Sequence, residues 1–195
     1  MFSPSVCAGG MEHAMAEPEA SAERVHGSLV EVGGVGILLL GKSGVGKSEA
    51  ALELVMRGNR LVADDVVLIG ADADGAPVGR SHELVRHYLE LRGIGIVHVP
   101  SLFGEASVAE SARIDLVIQL VGWGEAEVER VGLERGTRQI AGFEITALTL
   151  PVAPGRNIAA LVEVAGRDHA LRRSGRSGAA ELDARVRELL RRGGS

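Results

Sequence analysis

Aromatic side chains are scarce in this sequence, since phenylalanine, tyrosine and tryptophan together make up 3% of its 195 residues. A packed core must therefore be built from valine, leucine, isoleucine and alanine. The apolar content of 46% is enough for one sizeable domain. The single cysteine, Cys7, excludes an internal disulfide and suits a reducing compartment.

Long apolar runs and an excess of basic residues are also lacking. No run approaches the roughly 18–20 residues that a membrane-spanning helix needs. The N-terminus has neither the basic region nor the continuous apolar region of a signal peptide. A formal net charge of −5 argues against binding nucleic acid through counterion release. We therefore expect a cytoplasmic protein with no membrane partner and no nucleic-acid partner.

The sequence does contain an apolar run, residues 37–40, that breaks abruptly into glycines. The stretch Gly41-Lys42-Ser43-Gly44-Val45-Gly46-Lys47-Ser48 fits the P-loop pattern G-x-x-x-x-G-K-[ST]. Residues 49–57 then have the pattern of a helix that ends before Gly58. A strand, a glycine-rich loop and a helix N-terminus together aim backbone N–H groups at a phosphate. A chance glycine-rich turn is the alternative, and the flanking strand and helix disfavour it.

In such a loop Lys47 would reach the β- and γ-phosphates of a nucleotide, and the Ser48 hydroxyl would ligate Mg²⁺. Two adjacent carboxylates, Asp64 and Asp65, follow between the short apolar stretches 60–63 and 66–69. They predict two separate roles, and in the first of these one carboxylate helps to bind Mg²⁺. The other accepts the proton of an attacking hydroxyl, helped by a pKa that its neighbour raises. A turn with two solvated carboxylates is the alternative.

Four further candidates have weaker signals. Glu90 precedes the glycines of Leu-Arg-Gly-Ile-Gly, where the backbone either approaches a ligand or simply turns. Arg130 and Arg156 lie in glycine-bearing loops. Each either binds phosphate or is an ordinary surface residue without a ligand. His26, taken alone, fits an ordinary loop histidine as well as a catalytic one.

The patterns along the chain predict a mobile leader at residues 1–25 and one α/β domain at residues 26–195. The predicted elements are a hairpin over residues 26–40 with its turn at Gly33-Gly34, a helical turn and extended piece over 81–90, a strand after Gly95, a short helix at 107–112, strands at 114–121 and 143–150, a helix at 158–170 capped by Asn157, and a last amphipathic helix at 179–192 with Leu182, Val186, Leu189 and Leu190 on one side.

Taken together, these motifs resemble the C-terminal catalytic domain of the HPr kinase/phosphorylase family. The matching pieces, in order, are His26-Gly-Ser-Leu-Val, Gly41 to Ser48 with Glu49, Ala51-Leu-Glu-Leu-Val, Arg57-Gly58, Arg60-Leu-Val-Ala-Asp64-Asp65-Val, Arg86-His-Tyr-Leu-Glu90-Leu-Arg-Gly-Ile-Gly-Ile, Leu102-Phe-Gly, Arg113-Ile-Asp-Leu-Val-Ile, Arg130-Val-Gly-Leu and Pro154-Gly-Arg156-Asn157. They cover residues 26–170 in collinear order. Leu-Glu-Leu-Arg-Gly-Ile-Gly is the most family-specific of them.

The resemblance implies a P-loop fold akin to phosphoenolpyruvate carboxykinase and an ATP- and Mg²⁺-dependent kinase for a serine of the phosphocarrier protein HPr. Residues Gly41 to Ser48 would bind ATP, with Ser48 and Glu90 on Mg²⁺. Asp65, or Asp64, would be the base in phosphorylation and the proton donor in the phosphate-driven reverse reaction. His26, Lys47 and Arg130 would belong to the active site, and Arg156 would serve dephosphorylation. Family members form hexamers, so a homo-oligomer is expected.

Three residues depart from the family pattern, and the usual N-terminal domain is not expected in this short form. Lys42 and His98 stand where aspartates are usual, and Ala153 replaces an arginine. Losing that arginine removes a bidentate phosphate donor, so the resemblance implies kinase activity more strongly than phosphorylase activity. Two alternatives stay open, namely a metabolite kinase on the same scaffold and a catalytically silent nucleotide-binding regulatory module.

Overall fold

The computed structural model describes residues 22–125 and 135–193 of the chain. The strands are β1 (Glu23–His26), β2 (Ser28–Val32), β3 (Val35–Leu40), β4 (Arg60–Ala63), β5 (Val66–Ala71), β6 (Pro77–Arg80), β7 (Tyr88–Leu91), β8 (Gly95–His98), β9 (Ser111–Arg113), β10 (Leu116–Gly122), β11 (Gly136–Ile140) and β12 (Phe143–Val152). The α-helices are α1 (Lys47–Met56), α2 (Val99–Phe103), α3 (Ile158–Arg173) and α4 (Gly178–Gly193), with short 3₁₀ turns at Glu83–Val85 and Glu105–Ser107.

The central layer is a six-stranded sheet in the order β11-β12-β10-β3-β2-β4. Strand β10 runs parallel to both β3 and β12, whereas β2 and β11 pair antiparallel with β3 and β12. Parallel neighbours end at the same edge of a sheet. The loops that follow β3, β10 and β12 therefore emerge together, and the P-loop is one of them.

Both faces of this sheet are covered, which explains the continuous apolar run of β3. Ile37 and Leu39 point to one face and pack with helices α1 and α3. Leu38 and Leu40 point to the other face and pack with an antiparallel sheet of order β1-β5-β6-β9. Because successive side chains of a strand alternate between faces, β3 is buried along its whole length. Hence β3 lies at the centre of the fold and ends directly at the P-loop.

Most of the predicted elements are confirmed, including the hairpin with its Gly33-Gly34 turn and the strands on either side of the acid pair. The first described strand begins at Glu23, three residues before the domain start expected at His26. The short helix expected at 107–112 is wrong. Residues 105–107 form a 3₁₀ turn and β9 then pairs with β6, because strand pairing with distant residues overrides the local helical preference.

The helix predicted at 179–192 is present as α4, and its apolar side chains are exposed. Leu182, Val186, Leu189 and Leu190 have 63%, 44%, 68% and 72% of their surface accessible. Within the described ranges, 22–125 and 135–193, no helix combines the length and apolarity needed to cross a membrane.

Candidate active site

The P-loop follows β3 and closes on the N-terminus of α1, which begins at Lys47, two residues before the predicted start. Gly41 passes so close to β10 that an added Cβ would lie 2.7 Å from the carbonyl oxygen of Leu120. Gly46 occupies the helix N-cap with φ of 101°, a conformation that favours glycine. The free N–H groups at the start of α1 therefore face the concave side of the loop, as an anion site requires.

Lys47 is buried and points back into the loop, where its Nζ donates to the carbonyl oxygens of Gly41 at 3.0 Å and Lys42 at 3.3 Å. These two bonds hold the ammonium group at the centre of the loop without a nucleotide. Lys42 itself points outward, and its Nζ lies 3.2 Å from Glu125 at the surface. The second residue of the P-loop thus contributes its backbone to the site while its side chain bonds elsewhere.

The acid pair lies between β4 and β5, and its two members have different environments. Asp64 is 8% exposed and accepts hydrogen bonds from Ser28 Oγ at 2.5 Å and from Ser48 Oγ at 2.9 Å. Asp65 adopts a positive φ of 65° and exposes 69% of its side chain. The left-handed turn at Asp65 therefore sends two consecutive carboxylates in different directions, one inward to the P-loop serine and one outward to solvent.

Burial raises the pKa of Asp64 above its usual value of 3.8, against the hydrogen bonds from Ser28 and Ser48 that favour the carboxylate. Charge repulsion from Asp65, which the sequence led us to expect, is not among the causes. Backbone N–H groups of Asp65 and Glu90 also favour the charged form. The carboxyl group with the raised pKa is therefore the buried Asp64, and desolvation is the cause.

His26 ends β1 beside the outward acid, with its Nδ1 3.1 Å from Asp65 Oδ1. The backbone fixes this contact, because the N–H of Gly27 donates to the carbonyl oxygen of Asp65 at 3.0 Å. An imidazole at this distance orients the carboxylate by a hydrogen bond. The contact gives His26 a specific partner, which the sequence alone did not.

One cavity brings together most of the predicted side chains. Its lining includes His26, Lys47, Ser48, Asp64, Asp65 and Glu90, together with Arg92, Ser43, Gly44 and Gly46. Ser48, Asp64 and Glu90 contribute a hydroxyl and two carboxylates to the lining of this cavity. Mg²⁺ binds few protein oxygens and keeps its other positions for water and phosphate, so this set of donors fits it.

Two predicted residues lie elsewhere. Arg130 falls outside the described residues. Arg156 is not among the residues that line the cavity, and its guanidinium lies 5.6 Å from the ring centroid of Trp123. Trp123 follows β10 and Arg156 follows β12, so both stand at the sheet edge that carries the P-loop.

Two further residues belong to the site and were not predicted from the sequence, Ser28 and Arg92. The Ser28 hydroxyl is fully buried against Asp64, and its only sequence signal is its place in the His26-Gly-Ser stretch. Arg92 has a clearer signal, since it lies in the glycine-bearing stretch directly after Glu90.

A P-loop at the end of a buried strand, with an exposed carboxylate in the same cavity, has the geometry of a nucleotide-phosphate site. The model of the HPr serine kinase C-terminal domain matches residues 18–186. Two relatives, both HPr kinase/phosphorylase, come from Geobacillus sp. (strain WCH70) and Bacillus subtilis (strain 168). They are 49% and 46% identical over 175 residues, which is 89% of this chain and 56% of each relative.

A solved structure, the Hpr(Ser) kinase/phosphatase from Coxiella burnetii, superposes with a TM-score of 0.72 and 31% identity. The match covers 78% of this chain and 93% of the Coxiella chain. The chain belongs to the HPr serine kinase C-terminal domain family. It spans slightly more than half the length of the curated relatives described above, at 56% of each.

Proposed function

We propose that this chain is the catalytic domain of an ATP- and Mg²⁺-dependent protein kinase that phosphorylates a serine of HPr or an HPr-like phosphocarrier. Such a reaction would regulate phosphotransferase-linked carbon metabolism. The observation that carries the proposal is the placement of Asp65, exposed to solvent, paired with His26 and lining the same cavity as the P-loop. A base in this position is open to a hydroxyl on a large substrate.

In the proposed reaction the acceptor serine lies against Asp65, and the carboxylate takes the hydroxyl proton as the bond from serine Oγ to the γ-phosphorus forms. The bond from the γ-phosphorus to its bridging oxygen breaks, and ADP leaves. Lys47 exchanges its carbonyl partners for the phosphates. Ser48 and Glu90 would hold Mg²⁺, with Asp64 oriented behind Ser48, and the ion would neutralise charge on the phosphates.

The surface beside the acid pair favours a protein acceptor over a small metabolite. Next to Asp64, Asp65 and Glu90 lies a groove lined by Leu84, Val85, Tyr88 and Ile96. Leu84 and Ile96 are 85% and 75% exposed. Clustered exposed apolar side chains are typical of protein interaction sites and are poorly suited to a polar metabolite. The groove therefore supports the kinase for a protein serine over the metabolite kinase.

We further propose that Arg130 and Arg156 contact phosphate during turnover, Arg156 mainly in the phosphate-driven removal of the phosphoryl group. In that reverse reaction Asp65 would donate the proton. Ala153 leaves the Pro-Val-Ala-Pro-Gly-Arg loop without one of the two arginines usual there, so the reverse activity should be the weaker of the two. We also propose that the protein is cytoplasmic and that it forms a homo-oligomer. The exposed apolar side chains of α4 support self-association.

The proposal is tested by incubating the protein with labelled ATP, Mg²⁺ and the HPr-type protein of the same source, and by mapping the modified residue. Asp65→Asn should lower the transfer rate by about 10²–10⁴-fold, because a positioned general base contributes that much. Asparagine also tolerates the positive φ at this position. Asp74→Asn, which removes a carboxylate from the exposed β5–β6 turn, is the matched control and should leave the rate unchanged.

Three outcomes would contradict the proposal in different ways. Full activity of Asp65→Asn would exclude Asp65 as the base. Transfer to a metabolite without transfer to the carrier would favour the metabolite kinase. Tight ATP binding with no transfer to either would favour the silent regulatory module.

A further inference from the structure

Trp123 is an exposed aromatic residue beside the P-loop. It follows β10 directly, it is the single tryptophan of the sequence, and it leaves 68% of its surface accessible. The backbone of β10 touches the loop just before it, since a Cβ added at Gly41 would lie 2.7 Å from the carbonyl oxygen of Leu120. The three residues from there to the indole span at most about 11 Å. The ring is therefore attached within reach of the phosphate-binding loop.

A short turn after β10 holds Trp123 in place and is bonded to the P-loop. The N–H of Glu125 donates to the carbonyl oxygen of Gly122 at 3.0 Å, and the N–H of Gly122 donates to the Glu125 carboxylate at 3.3 Å. Lys42, the second residue of the P-loop, donates to the same carboxylate at 3.2 Å and lowers the pKa of Glu125. The Lys42 side chain thus connects the loop to the turn that carries the indole ring.

The order of the strands indicates on which side of the P-loop a nucleoside would lie. The loop follows β3, and the acid pair follows β4, on the β2 side of β3. Asp65, the proposed base, lies at that end of the site, where the γ-phosphoryl group would be transferred. The nucleoside is at the opposite end of a triphosphate, so it would extend to the other side of β3. Trp123 and Arg156 stand there, after β10 and β12.

Arg156 and Trp123 form a pair that leaves much of the indole open. The guanidinium carbon of Arg156 lies over the ring, 5.6 Å from its centroid. A cation over an aromatic ring is a favourable contact, so Arg156 helps to fix the orientation of the ring. Because Trp123 nevertheless keeps 68% of its surface accessible, it can still receive a second flat group. Nucleobases stack on aromatic side chains in this way, since every base has a π-face.

We propose that Trp123 is the residue on which the base of the bound nucleotide stacks, so that the nucleotide is held at its base as well as at its phosphates. This inference rests on the proposed function, because it assigns a further part of the same nucleotide site. Stacking contacts the flat face of a base and not its hydrogen-bonding edge. The site therefore gains affinity from the purine of ATP and from that of GTP to a similar extent.

A simpler role for Trp123 is to hold Arg156 for the phosphate contact proposed above. The two roles differ in which ligand they affect. If Trp123 only positions Arg156, its removal weakens the binding of ATP and of inorganic tripolyphosphate by similar factors, because both ligands carry three phosphates. If Trp123 stacks with the base, its removal weakens ATP and leaves tripolyphosphate, which has no base, unchanged.

The experiment measures the Kd for ATP, GTP and tripolyphosphate, each with Mg²⁺, by isothermal titration calorimetry on the parent protein, Trp123→Leu and Trp123→Phe. Met56→Ala is the matched control, because Met56 is 66% exposed at the far end of α1 from the P-loop. We expect Trp123→Leu to weaken ATP and GTP by about 5–150-fold, the effect of losing one stacked base, and to change tripolyphosphate by less than about threefold. Trp123→Phe keeps a flat ring and should recover most of the affinity.

An ATP Kd of Trp123→Leu within about threefold of the parent would overturn the proposal. Equal weakening of ATP and tripolyphosphate would overturn it in favour of the role in holding Arg156. A parent protein that binds ATP without phosphorylating the carrier would contradict the proposed function alone, and the binding comparison would still decide the role of Trp123. A parent protein that binds no ATP would contradict both.

Discussion

Asp64 and Asp65 are chemically identical neighbours that the backbone places in opposite environments. Asp64 is buried against Ser28 and Ser48, and Asp65 is exposed beside His26. Adjacent carboxylates in the sequence predicted two roles, and the positive φ at Asp65 assigns the outward position to one of them. The buried acid carries an energetic cost, because desolvation disfavours its charged form.

That cost gives a prediction for the nucleotide-free protein. Since burial raises the folded-state pKa of Asp64, the folded state binds more protons than the unfolded state between pH 3.8 and the folded-state pKa. Stability contributed by this group therefore falls as the pH rises through that window. Asp64→Asn removes the titration and should raise Tm at pH 7–8, while phosphotransfer falls. The gain in Tm should shrink in acid and disappear below about pH 4.

Thermal unfolding followed by circular dichroism from pH 4 to pH 8 measures this difference. Asp65→Asn is the control, because the exposed neighbour should show no comparable gain. A lower Tm of Asp64→Asn at every pH would show instead that the hydrogen bonds from Ser28 and Ser48 outweigh the cost of burial.

At the scale of elements, Asn157 joins the two helices that cover the central sheet. Its Oδ1 accepts from the N–H of Ala160 at 2.6 Å and caps α3. Its Nδ2 donates to Glu53 Oε1 of α1 at 2.6 Å, and Arg57 donates to the same oxygen at 2.7 Å. The hydrogen bond from Asn157, followed by that from Arg57, lowers the pKa of Glu53.

Asn157→Ala should lower the free energy of unfolding by about 1–2 kcal/mol at pH 7, because it removes the cap and the bond to α1 together. Urea unfolding measures the loss. Asn157→Ser keeps a capping oxygen but does not reach Glu53, so an intermediate value separates the two contributions. Glu53 has a lowered folded-state pKa, so its contribution exists above its usual pKa of 4.5 and is lost as the pH falls. If the loss of unfolding free energy on Asn157→Ala stays constant as the pH falls, the hydrogen bond between Asn157 and Glu53 does not contribute as proposed.

Elements with local signals could be predicted from the sequence. Gly33-Gly34 predicted a tight hairpin, Asn157 predicted a helix start, and the acid pair between apolar runs predicted two strands. The region 99–112 could not be predicted, because distant residues decide it. The N–H of Ala109 donates to the carbonyl oxygen of Leu61, and β9 takes its place beside β6. No local pattern records those partners.

The residues of the candidate site also fall into two groups, those with a local sequence signal and those whose contacts join distant segments. The P-loop, Asp64, Asp65 and Glu90 lie in motifs whose spacing has a physical cause, so the sequence supplied them. Contacts between segments, namely Ser28 with Asp64 and Arg92 with Gly44, depend on how strands and loops meet in three dimensions. No local sequence pattern encodes these contacts.

At the scale of the molecule, α4 is the described helix that packs least. Its leucines and Val186 are exposed, whereas α1 buries Leu54 and α3 buries Val162 against the central sheet. A helix with an exposed apolar face gains free energy when another surface buries that face. In the proposed homo-oligomer, that surface belongs to a second copy of the chain.

Leu189→Lys combined with Leu190→Lys should weaken self-association at least about 10-fold, since each buried leucine contributes about 1.5–3 kcal/mol. Light scattering coupled to size-exclusion chromatography gives the molar mass over a range of concentrations. Ala184→Lys is the control, because it adds a charge to another face of α4. A parent protein that stays monomeric at all concentrations would refute the role given to this face.

The loops at the two ends of the strands of the central sheet differ in character. The edge opposite the P-loop carries the turns Gly33-Gly34 and Ala141-Gly142, whose four residues have positive φ of 56°, 81°, 49° and 80°. Apart from the adjoining residues of the chain, no described atom lies within 4 Å of a Cβ added at Gly33 or Gly34. This edge is therefore a natural anchoring point. A protein fixed to a sensor surface through a tag inserted between Gly33 and Gly34 would present its nucleotide cavity to the solution and retain its turnover.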